Sequence, residues 1–121
     1  MPTQLVSRLD PWVPPIALMA LIFALSAQPD LNSGLGTIDL IGRKLVHATE
    51  YGLLCFLLWR ALRTVATPRA AIVLALGIAI GYAGTDEFHQ RFVHGRHATP
   101  LDILIDAIGA GIAAVLLVRR A

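Results

Sequence analysis

The sequence predicts an all-α protein: a membrane-embedded bundle of four transmembrane helices with both termini in the cytoplasm. Of its 121 residues, 56% are hydrophobic and 15% are charged, and the mean hydropathy is +0.69. So few charged side chains cannot solvate the surface of a water-soluble protein of this length. The apolar residues fall into four stretches of nearly membrane-spanning length, without strand alternation or an internal repeat.

These stretches predict spans at residues 12–27, 44–62, 68–90 and 101–118, in a single domain covering residues 1–121. In the first span, Pro14 and Pro15 fit only the opening turn, where a missing backbone N–H leaves no hydrogen bond unmade. The small residues before Ala27 also fit a signal-peptide cleavage site, which is the alternative interpretation of this span.

Small residues spaced four apart predict close packing between the helices. Gly77 and Gly81 form such a pair in the third span, and Ala110 and Ala114 form one in the fourth. Because small side chains let helix backbones approach each other in lipid, a tight bundle is the expected architecture.

Basic residues at the ends of the spans predict the orientation, because Lys and Arg accumulate on the cytoplasmic side of membrane proteins. Six lie at one end of the predicted bundle and four at the other: Arg8, Arg60, Arg63, Arg69, Arg119 and Arg120 against Arg43, Lys44, Arg91 and Arg96. The sequence therefore predicts a multi-pass membrane protein with loops 28–43 and 91–100 outside. Since the basic residues flank apolar runs and do not alternate with aromatic residues, a nucleic-acid partner is excluded.

Ionisable residues recur inside three of the predicted spans. Each costs about 2.5 to 3.5 kcal/mol in a membrane, so such residues usually face the interior of a bundle. A helical repeat of about 100° per residue places them on one face of each span, toward its outer end. We therefore expect the three polar faces to form one outward-opening pocket above an apolar stripe.

The residue types in this pocket combine proton-transfer groups with fixed positive charge. A histidine can act as a general base and a carboxylate as an acid or an orienting group. Since no Ser- or Cys-centred nucleophile motif occurs, direct attack by water is the expected chemistry. The candidate catalytic residues are His47, Glu50, Asp86, Glu87 and His89, and the candidate substrate-binding residues are Lys44, Tyr51, Gln90, Phe92, Arg96, Asp102 and Asp106.

Two alternatives stay open for the charged residues. His47 with Glu50, and Glu87 with His89, resemble pairs of metal ligands, but no His-Glu-x-x-His motif and no Cys pair accompanies them. The pattern therefore specifies neither a metal nor another cofactor. The same acids can also be neutralised by basic residues in a buried network that is only structural.

Several of these residues form spaced motifs along the chain. They are Ser26-x-Gln28-Pro29, Lys44-x-x-His47-x-x-x-Tyr51, Asp86-Glu87-x-His89-Gln90-x-Phe92, and Arg96 and Asp102 ahead of Gly109 and Gly111. From Leu25 to Ala114 the chain thereby resembles the VanZ-like family of small bacterial membrane proteins. It departs from that pattern at Asp106, where the family often has Asn, so this position can carry a charge that Asn cannot.

The resemblance implies a link to glycopeptide susceptibility, since the family takes its name from a protein connected with lowered susceptibility to teicoplanin. It does not by itself specify a reaction. The expected partners are membrane lipids, lipid-linked cell-wall precursors or a lipoglycopeptide antibiotic. Three functions fit: a hydrolase at the outer membrane face, a binding protein without turnover, and a proton-coupled transporter. A monomer of four helices lacks the paired repeats that such transporters usually have.

Overall fold

The described part of the chain is helical. The computed structural model describes residues 10–26, 37–90, 92 and 100–120. These residues form four α-helices and no strand: α1 Val13–Ser26, α2 Thr37–Leu62, α3 Pro68–Gln90 and α4 Pro100–Arg120. A turn of 3₁₀ helix at Asp10–Trp12 leads into α1. The predicted all-α class and the four helices are confirmed.

Helix α2 is longer at its start than the sequence predicts. Because Asp39, Arg43 and Lys44 interrupt the apolar pattern, the sequence predicts this helix only from residue 44, whereas it begins at Thr37. Backbone hydrogen bonds do not require an apolar sequence, so charged side chains can extend a helix beyond its apolar part. The predicted outer loop at residues 28–43 is therefore wrong from residue 37 onward.

A short connection reverses the chain between α2 and α3. The α2 end is closed by backbone hydrogen bonds, including Ala66 N–H to the Leu62 carbonyl at 2.9 Å. Thr67 then caps α3: its hydroxyl oxygen accepts a hydrogen bond from the Ala70 N–H at 3.3 Å. Pro68 stands at the first helical position, where its lack of an N–H costs nothing. These signals fix the start of α3 where the sequence predicts it.

Helices α2 and α4 form the most extensive contact of the bundle and run in the same direction, while α3 runs opposite to α2. The α2–α4 contact is closest at glycine. A Cβ on Gly109 would overlap the backbone of Ala48, at 2.7 Å from its carbonyl carbon, and a Cβ on Gly52 would lie 3.1 Å from the Gly109 carbonyl oxygen. Glycine at these two positions therefore allows a backbone-to-backbone approach.

The interior is built from leucine and alanine. Leu54 and Leu58 continue the buried face of α2, and α3 turns a line of alanines inward, which keeps it close to its neighbours. The fully buried members of that line are Ala71, Ala75, Ala79 and Ala83. Ala110 and Ala114 of α4 are also buried, as their spacing predicts. Gly77 and Gly81 are exposed, with nothing within 4 Å of a notional Cβ, so among the described residues they do not mediate helix packing.

Helix α1 is attached to the other three helices by fewer contacts. Its Ile22 is fully buried, and the Tyr82 hydroxyl of α3 donates a hydrogen bond to the Met19 carbonyl oxygen at 2.5 Å. The Met19 carbonyl already accepts a hydrogen bond within α1. The additional bond from Tyr82 tethers α1 to α3.

Large apolar side chains cover the outside of all four helices. Examples are Ile16 on α1, Leu53 on α2, Val73 on α3 and Ile112 on α4, which are 48% to 65% exposed. Among the described residues, the segment Pro68–His89 is long and apolar enough, by length and composition, to cross a membrane. The surface is thus apolar where a water-soluble protein would be polar.

The glycine contact predicts that Gly109→Ala destabilises the protein. The added methyl group must push α2 away from α4, and overpacking of this kind costs about 1 to 3 kcal/mol. We expect a lower midpoint of thermal unfolding, followed by circular dichroism in detergent. Gly77→Ala is the matched control, because its methyl group meets nothing within 4 Å. Equal midpoints for the two variants would contradict the close approach.

Candidate functional site

Three ionisable side chains from three different helices converge inside the bundle. His47 comes from α2, Asp86 from α3 and Asp106 from α4, and one donor atom of each lies within 4.8 Å of the other two. His47 Nδ1 lies 3.6 Å from Asp106 Oδ1. We call these three residues the central cluster. It joins residues that are far apart in the chain, so it depends on how the helices pack.

The glycine contact between α2 and α4 positions two members of this cluster. His47 precedes Ala48, whose backbone lies against Gly109, and Asp106 stands one turn before Gly109. A larger residue at the contact would separate the two helices and with them the imidazole and the carboxylate. Asp106 lies about 9 Å along α4 from its start, at the helical rise of about 1.5 Å per residue. The central cluster is therefore below the end of the bundle at which α2 and α4 begin.

The two carboxylates are buried and the imidazole is partly accessible. Asp86 and Asp106 are 5% and 3% exposed, whereas the His47 side chain is 25% exposed. Burial of a carboxylate is costly unless hydrogen bonds or opposite charge stabilise it. A protonated His47 would form an ion pair with Asp106. His47 is thus the member of the cluster that a molecule outside the bundle can contact.

Tyr51 links the α2 face to Asp86. It is fully buried, and its hydroxyl donates a hydrogen bond to Asp86 Oδ2 at 3.4 Å. Its ring lies 6.4 Å, centroid to centroid, from the ring of Tyr82. Tyr51 stands one turn after His47, so a single face of α2 supplies both the imidazole and the group that orients Asp86. Leu54 and Leu58 continue that face as the apolar stripe that the sequence predicts.

Among the other predicted site residues, Glu50 lies beside this centre. Glu50 is half-buried and interacts electrostatically with all three members of the cluster. Lys44, one turn before His47, is also half-buried, and Glu87 is 7% exposed. The predicted convergence of charge from three helices is therefore present in the structure. The roles assigned to the individual residues stay predictions.

Two predicted residues contact other parts of the bundle. The His89 ring stacks on Phe23 of α1 with centroids 4.4 Å apart, and its Nδ1 atom is buried without a hydrogen-bond partner among the described residues. Phe92 is 75% exposed and lies edge-on to Phe88 at 5.3 Å. His89 thus belongs to the α1–α3 contact, and its predicted catalytic role gains nothing from this placement.

The remaining predictions fall outside what the structure describes. They concern Arg96 and the side chains of Gln90 and Asp102.

Three contributions to the site are missing from the sequence interpretation. The small-residue spacing drew attention to Gly77 and Gly81, while the contact that matters is between Gly52 and Gly109, on different helices. Gly109 belongs to the last of the spaced motifs, but no spacing in the sequence marks Gly52 as its partner. The stacking of Phe23 on His89 and the tether from Tyr82 to α1 leave no signal either, because an exposed Phe on an apolar helix looks like any other.

The central cluster has the composition of a proton-transfer or ligand-binding centre. An imidazole beside a carboxylate is held in one orientation, and a second carboxylate within reach can accept or supply a proton. The fold and this centre define a class of protein: a small four-helix bundle with a histidine–carboxylate cluster inside one end.

The chain belongs to the VanZ/LLP1 family, whose model matches residues 12–120. This match covers almost the whole chain and confirms the resemblance carried by the motifs. No curated protein and no solved structure matches the chain.

The hydrogen bond between Tyr51 and Asp86 predicts a measurable coupling. In a double-mutant cycle with Tyr51→Phe and Asp86→Asn, we expect a coupling of about 1 kcal/mol in the free energy of unfolding, as for a buried hydrogen bond. Tyr82→Phe combined with Asp86→Asn is the control cycle, since Tyr82 donates to Met19. It should show clearly weaker coupling, and the same value in both cycles would contradict the assigned bond.

Proposed function

We propose that this VanZ/LLP1 family member is a multi-pass protein of the bacterial inner membrane that binds and processes an amphiphile at the central cluster. The amphiphile is a lipid, a lipid-linked cell-wall precursor or a lipoglycopeptide antibiotic. The observation that carries the proposal is the convergence of His47, Asp86 and Asp106 inside one end of a bundle whose outer surface is apolar.

A membrane location is supported by three observations. The family match extends over nearly the whole chain, α3 has the length and composition of a spanning helix, and exposed apolar side chains occur on all four helices. Helices α2 and α4 have 26 and 21 residues, which correspond to lengths of about 39 and 31 Å along their axes. Asp106 is buried and Glu50 is half-buried, which keeps these charges at least partly away from lipid. The basic residues at the opposite end favour cytoplasmic termini.

The proposed binding site has two parts that suit an amphiphile. The polar part is the central cluster with Lys44 and Glu50, which can bind a charged or hydrogen-bonding headgroup. The apolar part is the neighbouring outer face of α2, where Val46 and Leu53 are about half exposed and an acyl chain can lie. A ligand with one polar and one apolar end matches this arrangement better than a sugar does.

The processing step that fits these groups is hydrolysis by acid–base chemistry. Asp106 orients the His47 imidazole, which takes a proton from a water molecule as that water attacks an ester or phosphoester of the substrate. The bond to the leaving oxygen breaks, and Glu50 donates the proton that this oxygen needs. The partial exposure of His47 supports its role as the group nearest to the substrate.

Binding without turnover is the second candidate. It is favoured by the burial of both carboxylates, which leaves little room for an attacking water beside them. A protein that only sequesters an amphiphile would use the same cluster to hold the headgroup. The link to glycopeptide susceptibility that the family supports fits both candidates, because either one would change what the antibiotic meets at the outer leaflet.

Substitution of the cluster tests the site itself. We expect His47→Ala and Asp106→Asn to return the teicoplanin susceptibility of an expressing strain to that of a strain without the protein. Gly77→Ala, on the exposed face of α3, is the control at matched membrane expression. Wild-type behaviour of both cluster variants would refute the proposed site.

A product analysis separates the two candidates. Purified protein is incubated with membrane lipid extract and with teicoplanin, and new species are sought by mass spectrometry. Hydrolysis predicts products that are missing with His47→Ala. Retention of unchanged lipid or antibiotic by the wild-type protein, lost in the same variant, would identify a binding protein.

A further inference from the structure

From the central cluster we infer that the protein binds one divalent transition-metal ion of the Zn²⁺ type between α2, α3 and α4. The ligands are one nitrogen of His47 and one carboxylate oxygen each from Asp86 and Asp106. Neither the family match nor the proposed amphiphile site requires a metal. An imidazole that ligates an ion cannot also be the general base of the proposed hydrolysis, so the ion-bound protein corresponds to the candidate that binds without turnover. The inference rests on the donor set, its spacing and its surroundings.

The donor atoms are close enough to share an ion. Zinc lies about 2.0 to 2.2 Å from nitrogen and oxygen ligands, which places neighbouring ligand atoms about 3 to 3.5 Å apart. The separation of 3.6 Å between His47 Nδ1 and Asp106 Oδ1 already matches this spacing. No two of the three ligand atoms are more than 4.8 Å apart. Side-chain shifts of about 1 Å, such as a rotation of the Asp86 carboxylate, would bring all three to the spacing of zinc ligands.

The chemistry of the set selects the kind of ion. Imidazole and carboxylate together suit zinc and its neighbours in the first transition series, whereas Ca²⁺ takes six or more oxygen ligands and Mg²⁺ retains most of its water. Three protein ligands are typical of a zinc site that keeps a coordination position open. Cys55, which is free and buried, is not part of the set.

The surroundings resemble those of a metal site. Tyr51 donates a hydrogen bond to Asp86, and an outer partner of this kind fixes the orientation of a ligating carboxylate. Two of the three ligands are carboxylates, whose negative charge attracts a divalent cation. Both carboxylates are more than nine-tenths buried, which strengthens their attraction to a cation. The partly exposed edge of His47 provides access for the ion.

Equilibrium dialysis with Zn²⁺ alone tests the inference. The full chain is purified in detergent without a polyhistidine tag, stripped with chelator and dialysed against Zn²⁺ in the presence of excess Mg²⁺. We expect about one equivalent of bound zinc by elemental analysis and a rise in the midpoint of thermal unfolding. Absence of stoichiometric binding, or displacement of zinc by Mg²⁺, would overturn the inference, whatever the variants do.

Variants then locate the ion. Asp106→Asn and His47→Gln, which nearly preserve side-chain size, should lose zinc binding and the thermal shift while keeping the helical circular dichroism of the wild type. Tyr51→Phe should weaken binding about tenfold, as expected for an outer partner. His89→Ala removes an imidazole that stacks on α1, so it should bind zinc like the wild type. Equal loss in His89→Ala would place the ion elsewhere and overturn the assignment.

The metal site and the amphiphile site can fail separately. Zinc binding is measured without an amphiphile, and teicoplanin susceptibility is measured without reference to zinc. A wild-type protein that binds no zinc, in cells whose susceptibility still depends on His47, would overturn the metal site and leave the amphiphile site in place. Zinc bound by a wild-type protein that has no effect on susceptibility would leave the metal site in place.

Discussion

The approach of α2 to α4 at Gly109 is the constraint on which the rest of the structure depends. At this point the backbone of Ala48 occupies the space that any side chain on α4 would fill. One turn before Gly109 and one residue before Ala48, the same two helices carry Asp106 and His47. The distance between imidazole and carboxylate is therefore set by backbone contact, and backbone contacts vary less than those made by flexible side chains.

This rigidity matters because the central cluster is expensive to bury. Two carboxylates more than nine-tenths buried in a protein of 15% charged residues need partners at fixed positions. Tyr51 and His47, one turn apart on α2, provide two of them from a single face. The alanines of α3 keep the third helix near enough for Asp86 to join. The small residues in the helix contacts thus hold the helices close enough for their ionisable side chains to meet in the cluster.

Much of the fold follows from the sequence, and the reasons are local. The apolar stretches, the Thr67-Pro68 start of α3 and the inward polar faces depend on residues within a few turns of each other. The start of α2 was missed, because charged residues extend that helix beyond its apolar part. The sequence predicts that the polar residues form one pocket. It does not predict that His47, Asp86 and Asp106 form one group while His89 contacts another part of the bundle. That division depends on helix rotation and crossing, which a spacing pattern does not contain.

The choice of the wrong glycines shows the same limit. Gly77 and Gly81 have the spacing of a packing motif, yet they face outward, while Gly52 and Gly109 meet across two helices with no motif in common. A spacing rule describes one helix at a time. A contact between two helices is a property of the pair, so it can be recognised only when both partners are known.

Helix α1 supplies none of the three central side chains. It is attached through a buried Ile22, one hydrogen bond from Tyr82 and the ring of Phe23, whereas α2, α3 and α4 each donate a member of the cluster. The smallest unit that retains the cluster is therefore a three-helix core, with α1 as an outer wall. Loss of the contacts that Ile22, Tyr82 and Phe23 make would therefore leave all three ionisable groups on the remaining helices, so the attachment of α1 and the composition of the cluster are separate properties of the fold.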